Sequence, residues 1–223
     1  MIFAKFDLDS TLVNSDELIA LALAEQGYML NPDINDKFEF NFIEGYAPPP
    51  DFQWDVFFYR LFTERFDELK PIDEHVNEFL ESVYDGRVPL HVLTARTDGA
   101  IMHHACMRTL ENCFPNVEFI VSVVSSGDVK INYMDHADIM FEDRRKTALQ
   151  MSRDGIICIM PNKKYNVIPA GVHVIDIGDV KLQNKLQNIR KGTIMRFDDY
   201  KQVIDSRIEL VISPMKNFSQ NPL

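Results

Sequence analysis

Apolar and polar positions follow two rhythms along this chain, and the change of rhythm divides it. Ile2, Phe3, Ala4 and Phe6 form a short apolar run that reads as a buried strand. After it the apolar spacing turns helical for roughly seventy residues. Asn14, with Glu17 three positions on, predicts a helix-starting cap, and Leu18, Ile19, Leu21, Ala22 and Leu23 then supply an apolar face that ends at Gly27. Pro48, Pro49 and Pro50 mark a loop. Trp54, Phe58, Leu61, Phe62 and Leu69 recur at helical spacing over residues 52–69, Pro71 ends that helix, Asp73 opens another running to Tyr84, and Asp85-Gly86 closes the segment.

From Val88 the pattern alternates. Strands are predicted over residues 90–93, 117–124, 137–141, 155–160 and 172–177, with helices over 98–112, 145–153 and 179–190. Such alternation implies an α/β fold with a parallel sheet flanked by helices. The division that follows is a discontinuous core of residues 1–14 and 86–212, a small helical insert of residues 15–85 after the first strand, and a loosely held tail, 213–223, without periodic pattern.

A length of 223 residues with 46% hydrophobic and 26% charged positions supports a sizeable folded core rather than disorder. The longest apolar stretch, residues 18–24, is too short to span a bilayer. Asp7 and Asp9 interrupt the amino-terminal run before a secretory core could form, so a cytoplasmic location is expected. Cys106, Cys113 and Cys158 have no metal-ligand spacing and read as reduced core thiols. A net charge of −11 opposes binding to long nucleic acid, which needs many cationic contacts to phosphates. The local clusters Arg144-Arg145-Lys146 and Lys163-Lys164 could hold one phosphate group, although clustered surface bases are ordinarily just solvated.

The candidate chemistry collects at strand ends. Asp7 and Asp9, then Thr94, then Glu142 and Asp143 each follow an apolar strand, and ligands of open α/β sheets bind outside the carboxyl ends of the strands. Lys130, after Ser125-Ser126-Gly127, could reach the same crevice. Taken singly each has a plain reading: Asp-Leu-Asp-Ser-Thr as a turn, Thr94 as a β-former, Lys130 as a surface lysine, Glu142-Asp143 as acids at a helix start. Carboxylates at buried strand ends need a partner, and a divalent metal would serve. His103 and His104 fall on the polar side of their helix and are assigned no chemistry.

Asp7-Leu8-Asp9-Ser10-Thr11, Leu93-Thr94, Lys130 and Phe141-Glu142-Asp143 together resemble the motifs of the haloacid dehalogenase superfamily of phosphotransferases. The resemblance covers most of the chain and implies a Rossmann-like core with a helical cap between the first two motifs. The run Ala137-Asp138-Ile139-Met140-Phe141-Glu142-Asp143-Arg144 looks most like the 5′(3′)-deoxyribonucleotidases, although Ser10 stands where those enzymes usually have glycine and Glu142 where they usually have aspartate.

The resemblance implies a Mg²⁺-dependent phosphomonoesterase in which Asp7 is the nucleophile and Asp9 the proton carrier. Thr94 would donate to a phosphate oxygen and Lys130 would offset charge. Asp7, Asp143 and the backbone carbonyl of Asp9 would hold Mg²⁺, with Glu142 acting through water. Like-charge repulsion from Asp7, Glu142 and Asp143 is expected to raise the Asp9 pKa. Backbone amides around Leu8 and Ala95 would complete a phosphate cradle. Arg96 could approach a phosphate or a cap residue, or form a surface ion pair.

In the cap, Trp54, Phe58 and Phe62 share the face expected to pack inward, which leaves Phe57 or Tyr59 to stack on a nucleobase. The expected substrate is a small phosphorylated molecule, a nucleoside monophosphate. The alternatives are a sugar phosphate, a nucleic-acid end, or a noncatalytic phosphate- or partner-binding module.

Overall fold

The computed structural model describes residues 4–29, 45–46, 48–84, 86–96, 99–134, 139–163, 165–177 and 189–206. Seven parallel strands form its sheet: β1 (Ala4–Phe6), β2 (Leu90–Ala95), β3 (Phe119–Val124), β4 (Ile139–Phe141), β5 (Ile157–Pro161), β6 (Val174–Asp176) and β7 (Ile194–Phe197). Their spatial order is β3-β2-β1-β4-β5-β7-β6, and all six pairings are parallel. The chain runs outward from β1 through β2 and β3, then returns to place β4 on the other side of β1. The switch point of the topology therefore lies between β1 and β4, where a crevice opens at the carboxyl ends.

Parallel strands are covered on both faces, so they read as continuous apolar runs whose alternate residues enter different layers. Ile139, Phe141, Ile157, Ile159, Met195 and Phe197 join the larger core, whereas Met140, Cys158, Met160 and Ile194 join a second cluster with Ala148 and Met151. Phe6 and Phe141 stack at 4.7 Å across β1 and β4, fixing the two strands that flank the switch point.

The helices are α1 (Ser15–Glu25), α2 (Trp54–Glu64), α3 (Val76–Val83), α4 (Ala100–Cys113), α5 (Arg145–Arg153) and α6 (Tyr200–Asp205). The long helix expected over 52–69 is interrupted after α2 and resumes as a 3-10 turn, Phe66–Glu68. Asn14 makes no side-chain cap; its amide instead donates to Lys70 O at 2.9 Å. Ile72 N donates to Leu12 O at 2.9 Å, and Val13 bridges Pro71. Residues 12–14 thus cross beside residues 70–72.

Helix α3 stands on the core side of that crossing. Phe79 packs on Phe141 at 5.4 Å and on Tyr200 at 5.2 Å, so this part of the expected insert belongs to the sheet's own packing layer. Asp73 does open α3, its carboxylate accepting the amides of His75 at 2.8 Å and Val76 at 3.0 Å.

Strand β7 and helix α6 were not anticipated, because β7 is only four residues long and carries Arg196 in its middle. It inserts between β5 and β6, leaving β6 at the sheet edge with Val174 exposed. The helix expected over 179–190 and the tail 213–223 lie outside the described residues, save Ile189 and Arg190. No helix among the described residues is long and apolar enough to cross a membrane.

Candidate active site

Asp7 follows β1 directly. Its amide donates to Phe141 O at 2.9 Å, continuing the β1–β4 ladder one step beyond the strand, and this holds the carboxylate at the crevice. Glu142 is held the same way, its amide donating to Ile159 O at 3.1 Å. Lys130 reaches in from the 3-10 turn Gly127–Tyr133 and is wholly buried. Its Nζ lies 2.7 Å from Asp7 Oδ1 and 2.8 Å from Glu142 Oε2. A buried ammonium persists only with such partners; burial works against its charge, and the two carboxylates outweigh it, raising its pKa.

Asp7, Glu142 and Asp143 each offer an oxygen within 4.8 Å of the others, and all three are buried. Three carboxylates face one ammonium, so the cluster carries excess negative charge. Burial first, then repulsion from Glu142, pushes Asp7 well above the usual carboxylate range and Asp143 up to about 7. A donor set of hard oxygens with uncompensated negative charge fits a divalent cation such as Mg²⁺. Glu142 is already engaged at both oxygens, by Lys130 and by the Arg144 amide at 3.0 Å, whereas Asp143 is held by the Tyr165 hydroxyl at 2.7 Å.

Asp9 departs from expectation. Burial tends to raise its pKa, but Arg96 donates Nε to Oδ2 at 2.9 Å and Nη2 to Oδ1 at 2.6 Å, and with the Ser15 hydroxyl and Lys130 it reverses the sign. The Asp9 pKa is lowered, not raised, because Arg96 and the donors beside it outweigh its burial. Thr94 Oγ1 also approaches Asp9 Oδ2, at 3.4 Å. Arg96 is therefore no surface residue: it is buried, pairs with Asp9, touches Cys106 Sγ at 3.5 Å and lies under the Phe62 ring at 4.0 Å.

Most of these groups line a cavity of about 400 Å³, whereas Glu142 is wholly buried and does not. Asp7, Asp9, Thr94, Ala95, Arg96, Lys130 and Asp143 line it, while Leu8 does not. The Leu8 amide is turned back to Asp7 Oδ1 at 2.8 Å, so it braces the candidate nucleophile rather than facing the cavity.

On the α2 side Phe62 joins the core and Trp54 and Phe58 pack against it, as their spacing implies. Phe58 and Phe62 face the cavity together with Ile19, whereas Phe57 lines a separate groove between α1 and α2, and Tyr59 packs against the core. Helix α2 is aromatic on more than one side, so spacing alone could not choose the face that meets the crevice. Arg144, Arg145 and Lys146 stand at the cavity wall, where Lys146 pairs with Asp128 at 2.8 Å. Lys164 lies outside the described residues. His103 and His104 are exposed on α4, away from this lining.

Sequence reasoning singled out Ser10 only as a departure from the usual glycine, and missed Ser15, Asp16 and Tyr165. Ser10 adopts φ 57°, the left-handed conformation that glycine takes without strain, and its hydroxyl donates to Asp16. Asp16, in the first turn of α1, brings a fourth acid toward the cluster. The glycine-like position of Ser10 was the available signal; nothing local marked Tyr165.

No protein-family model matches the sequence, and no curated protein sequence matches it. Solved structures do. A haloacid dehalogenase-like family hydrolase from Streptococcus pneumoniae superposes with a TM-score of 0.55 at 18% identity, covering 92% of this chain and 97% of the other. A candidate phosphoglycolate phosphatase from Lactobacillus plantarum gives 0.50 at 11% identity over 92% of this chain and 100% of the other. A hydrolase from Pseudomonas syringae gives 0.50 at 13% identity, over 92% and 97%. With its parallel sheet and carboxylates at the β1 and β4 ends, the chain has the Rossmann-like α/β fold of the haloacid dehalogenase-like hydrolases.

Proposed function

We propose that this chain is a Mg²⁺-dependent phosphomonoesterase of the haloacid dehalogenase type, working through an aspartyl-phosphate on Asp7. The observation that carries this reading is the meeting of Asp7, Lys130, Glu142 and Asp143 at one crevice, with Asp9 beside them.

Among the described residues, the contacts to the Asp7 carboxylate from Lys130 and from the Leu8 amide fall on Oδ1, which leaves Oδ2 as the attacking atom. Attack forms an Oδ2–P bond as the bond from phosphorus to the leaving alkoxide breaks, and the protonated Asp9 carboxyl hands that alkoxide its proton. Asp9 then takes a proton from water, which attacks phosphorus, breaks the Oδ2–P bond and releases inorganic phosphate. Arg96 suits the second half, because it holds Asp9 as the carboxylate that a base must be. A dianionic phosphoryl group arriving beside Asp9 raises its proton affinity for the first half.

Lys130 and Thr94 meet phosphate oxygens, and Ala95 lines the same cavity. Asp7 and Asp143, with the Asp9 carbonyl, would hold Mg²⁺, which supplies neutralising charge at the phosphoryl oxygens. Arg144, Arg145 and Lys146 add positive potential at the wall.

A cavity of about 400 Å³ under a cap favours a small substrate over a polymer. The reading is a nucleoside monophosphate in the cytoplasm, with Phe58 and Phe62 as the aromatic wall for its base. A sugar phosphate is the second reading, favoured by Asp16 and Asp55 on the same wall, which can accept hydrogen bonds from hydroxyls.

The test is phosphate release from a panel of nucleoside monophosphates and sugar phosphates, with and without Mg²⁺, with Asp7→Asn as control. Mg²⁺-dependent release that the variant loses supports the mechanism, and the ranking of substrates chooses between the two readings. Silence across the panel from folded protein overturns the enzyme in favour of a binding module or a nucleic-acid end.

A further inference from the structure

Two consecutive residues of the loop after β5 are directed at Asp143. The Tyr165 hydroxyl donates to Asp143 Oδ2 at 2.7 Å, and Asn166 Nδ2 donates to the Asp143 backbone carbonyl at 2.9 Å. Asn166 is wholly buried and is itself fixed from three directions. Its Nδ2 also reaches Pro161 O at 2.8 Å, its Oδ1 accepts from Arg196 Nη2 at 2.7 Å, and its carbonyl accepts from Arg196 Nη1 at 3.0 Å. The loop is thus clamped to the end of β5 and to β7, and the Tyr165 hydroxyl is delivered to one carboxylate oxygen by a rigid support. On its far side the same hydroxyl lies 3.5 Å from Asp16 Oδ2, at the start of α1.

Deepening the function just proposed, and resting on its metal site, we infer that Tyr165 is a positioning residue that orients the Asp143 carboxylate so that Asp143 and Asp7 can share one divalent cation. A carboxylate left to rotate offers its oxygens to a cation in many arrangements; one held by a hydroxyl donor offers a defined one, and the groups that orient ligands commonly govern affinity about as strongly as tenfold or more. The clamp through Asn166 explains why a half-buried tyrosine stands among acids at all. Tyr165 lines the same cavity, but its hydroxyl is spent on Asp143, so its removal is expected to act on binding of the ion and not on bond breaking.

The experiment is isothermal titration of Mg²⁺ into the full chain and into Tyr165→Phe, with melting curves of both in EDTA. The expected result is Mg²⁺ affinity at least tenfold weaker in Tyr165→Phe, with the metal-free melting point nearly unchanged. Phosphate release at saturating Mg²⁺ would return to the wild-type rate, with the half-saturating Mg²⁺ concentration displaced upward. Asn166→Asp, which keeps the tyrosine but loosens the clamp by losing the Nδ2 donors, should weaken Mg²⁺ in the same direction.

Equal or tighter Mg²⁺ binding by Tyr165→Phe overturns the inference and leaves the phosphatase reading intact. A lowered metal-free melting point with unchanged affinity shows a merely structural role and also overturns it. Failure of the wild-type chain to bind Mg²⁺ overturns the metal-site reading itself and the inference with it.

Discussion

The Arg96 guanidinium grips Asp9 twice, at 2.9 Å and 2.6 Å, while lying 4.0 Å from the centroid of the Phe62 ring on α2. One buried cation thereby joins the acid after β1, the end of β2 and the helix that roofs the cavity. The arrangement explains how Asp9 can stay ionised beside Asp7 and Asp143: its charge is answered by Arg96 rather than shared with the metal cluster.

Arg96→Met should therefore leave a largely buried carboxylate without its counter-ion, destabilising the fold by about 2–4 kcal/mol in urea unfolding. Asp9→Asn in that background should recover part of the loss, since it removes the orphaned charge. Because the folded pKa of Asp9 is depressed, its contribution is present above the unfolded value of about 3.9 and lost as pH falls through the lower folded one. The acid limb of stability in Arg96→Met should accordingly be flatter. Equal stability of wild type and Arg96→Met would mean the pair contributes nothing.

Metal should matter most where protons do not neutralise the cluster. Asp143, raised to about 7, and Asp7, also raised by burial, carry protons more readily folded than unfolded, so the metal-free chain loses stability as pH rises from about 4 through about 7. Added Mg²⁺ should raise the melting point more at pH 8 than at pH 5, where protons compete for the same oxygens. A Mg²⁺ effect of the same size at both values would count against the cluster as the binding site.

His91 supplies an acid-side switch in stability away from the site. Its Nε2 lies 2.8 Å from Ser122 Oγ, and its Nδ1 is buried with no hydrogen-bond partner among the described residues. Burial, with the Lys5 charge, depresses its pKa to about 4. Stability is complete above the unfolded value of about 6.5 and falls by about 2 kcal/mol as pH drops to about 4, after allowance for partial exposure. His91→Gln should remove roughly one proton from the slope of unfolding free energy against pH in that window; an unchanged slope would assign the loss to other groups.

Ser10 tests the backbone of the first motif. Ser10→Ala and Ser10→Gly both lose the hydroxyl that donates to Asp16, but only glycine relieves the left-handed φ of 57°. The glycine variant should be the more stable by about 1 kcal/mol in urea unfolding. Equal midpoints would show that the loop relaxes around alanine.

How much of this was legible in the sequence varies residue by residue. Asp7, Thr94, Glu142 and Asp143 stood out because each is a polar group at the end of an apolar run, and the penalty for burying it is a local property of the chain, whereas Lys130 stood out only by its place in the series. The parallel sheet was equally legible from alternation. Short β7 was not, and its place between β5 and β6 could not be read from chain order. Phe58 and Phe62 pack on the core as their spacing implied, but that they also line the cavity could not be read, because several faces of that helix are apolar and only docking selects one.

What the sequence by itself determined is therefore the set of groups that must find partners, and the kind of fold that brings strand ends together. Only the tertiary structure decided the pairing: Arg96 with Asp9, Lys130 between Asp7 and Glu142, Tyr165 on Asp143. The physical reason is range. Hydrophobic period is written along a few consecutive residues, but whether a carboxylate is neutralised depends on charges and donors within a few ångströms, and those arrive from distant segments that only the folded sheet makes neighbours.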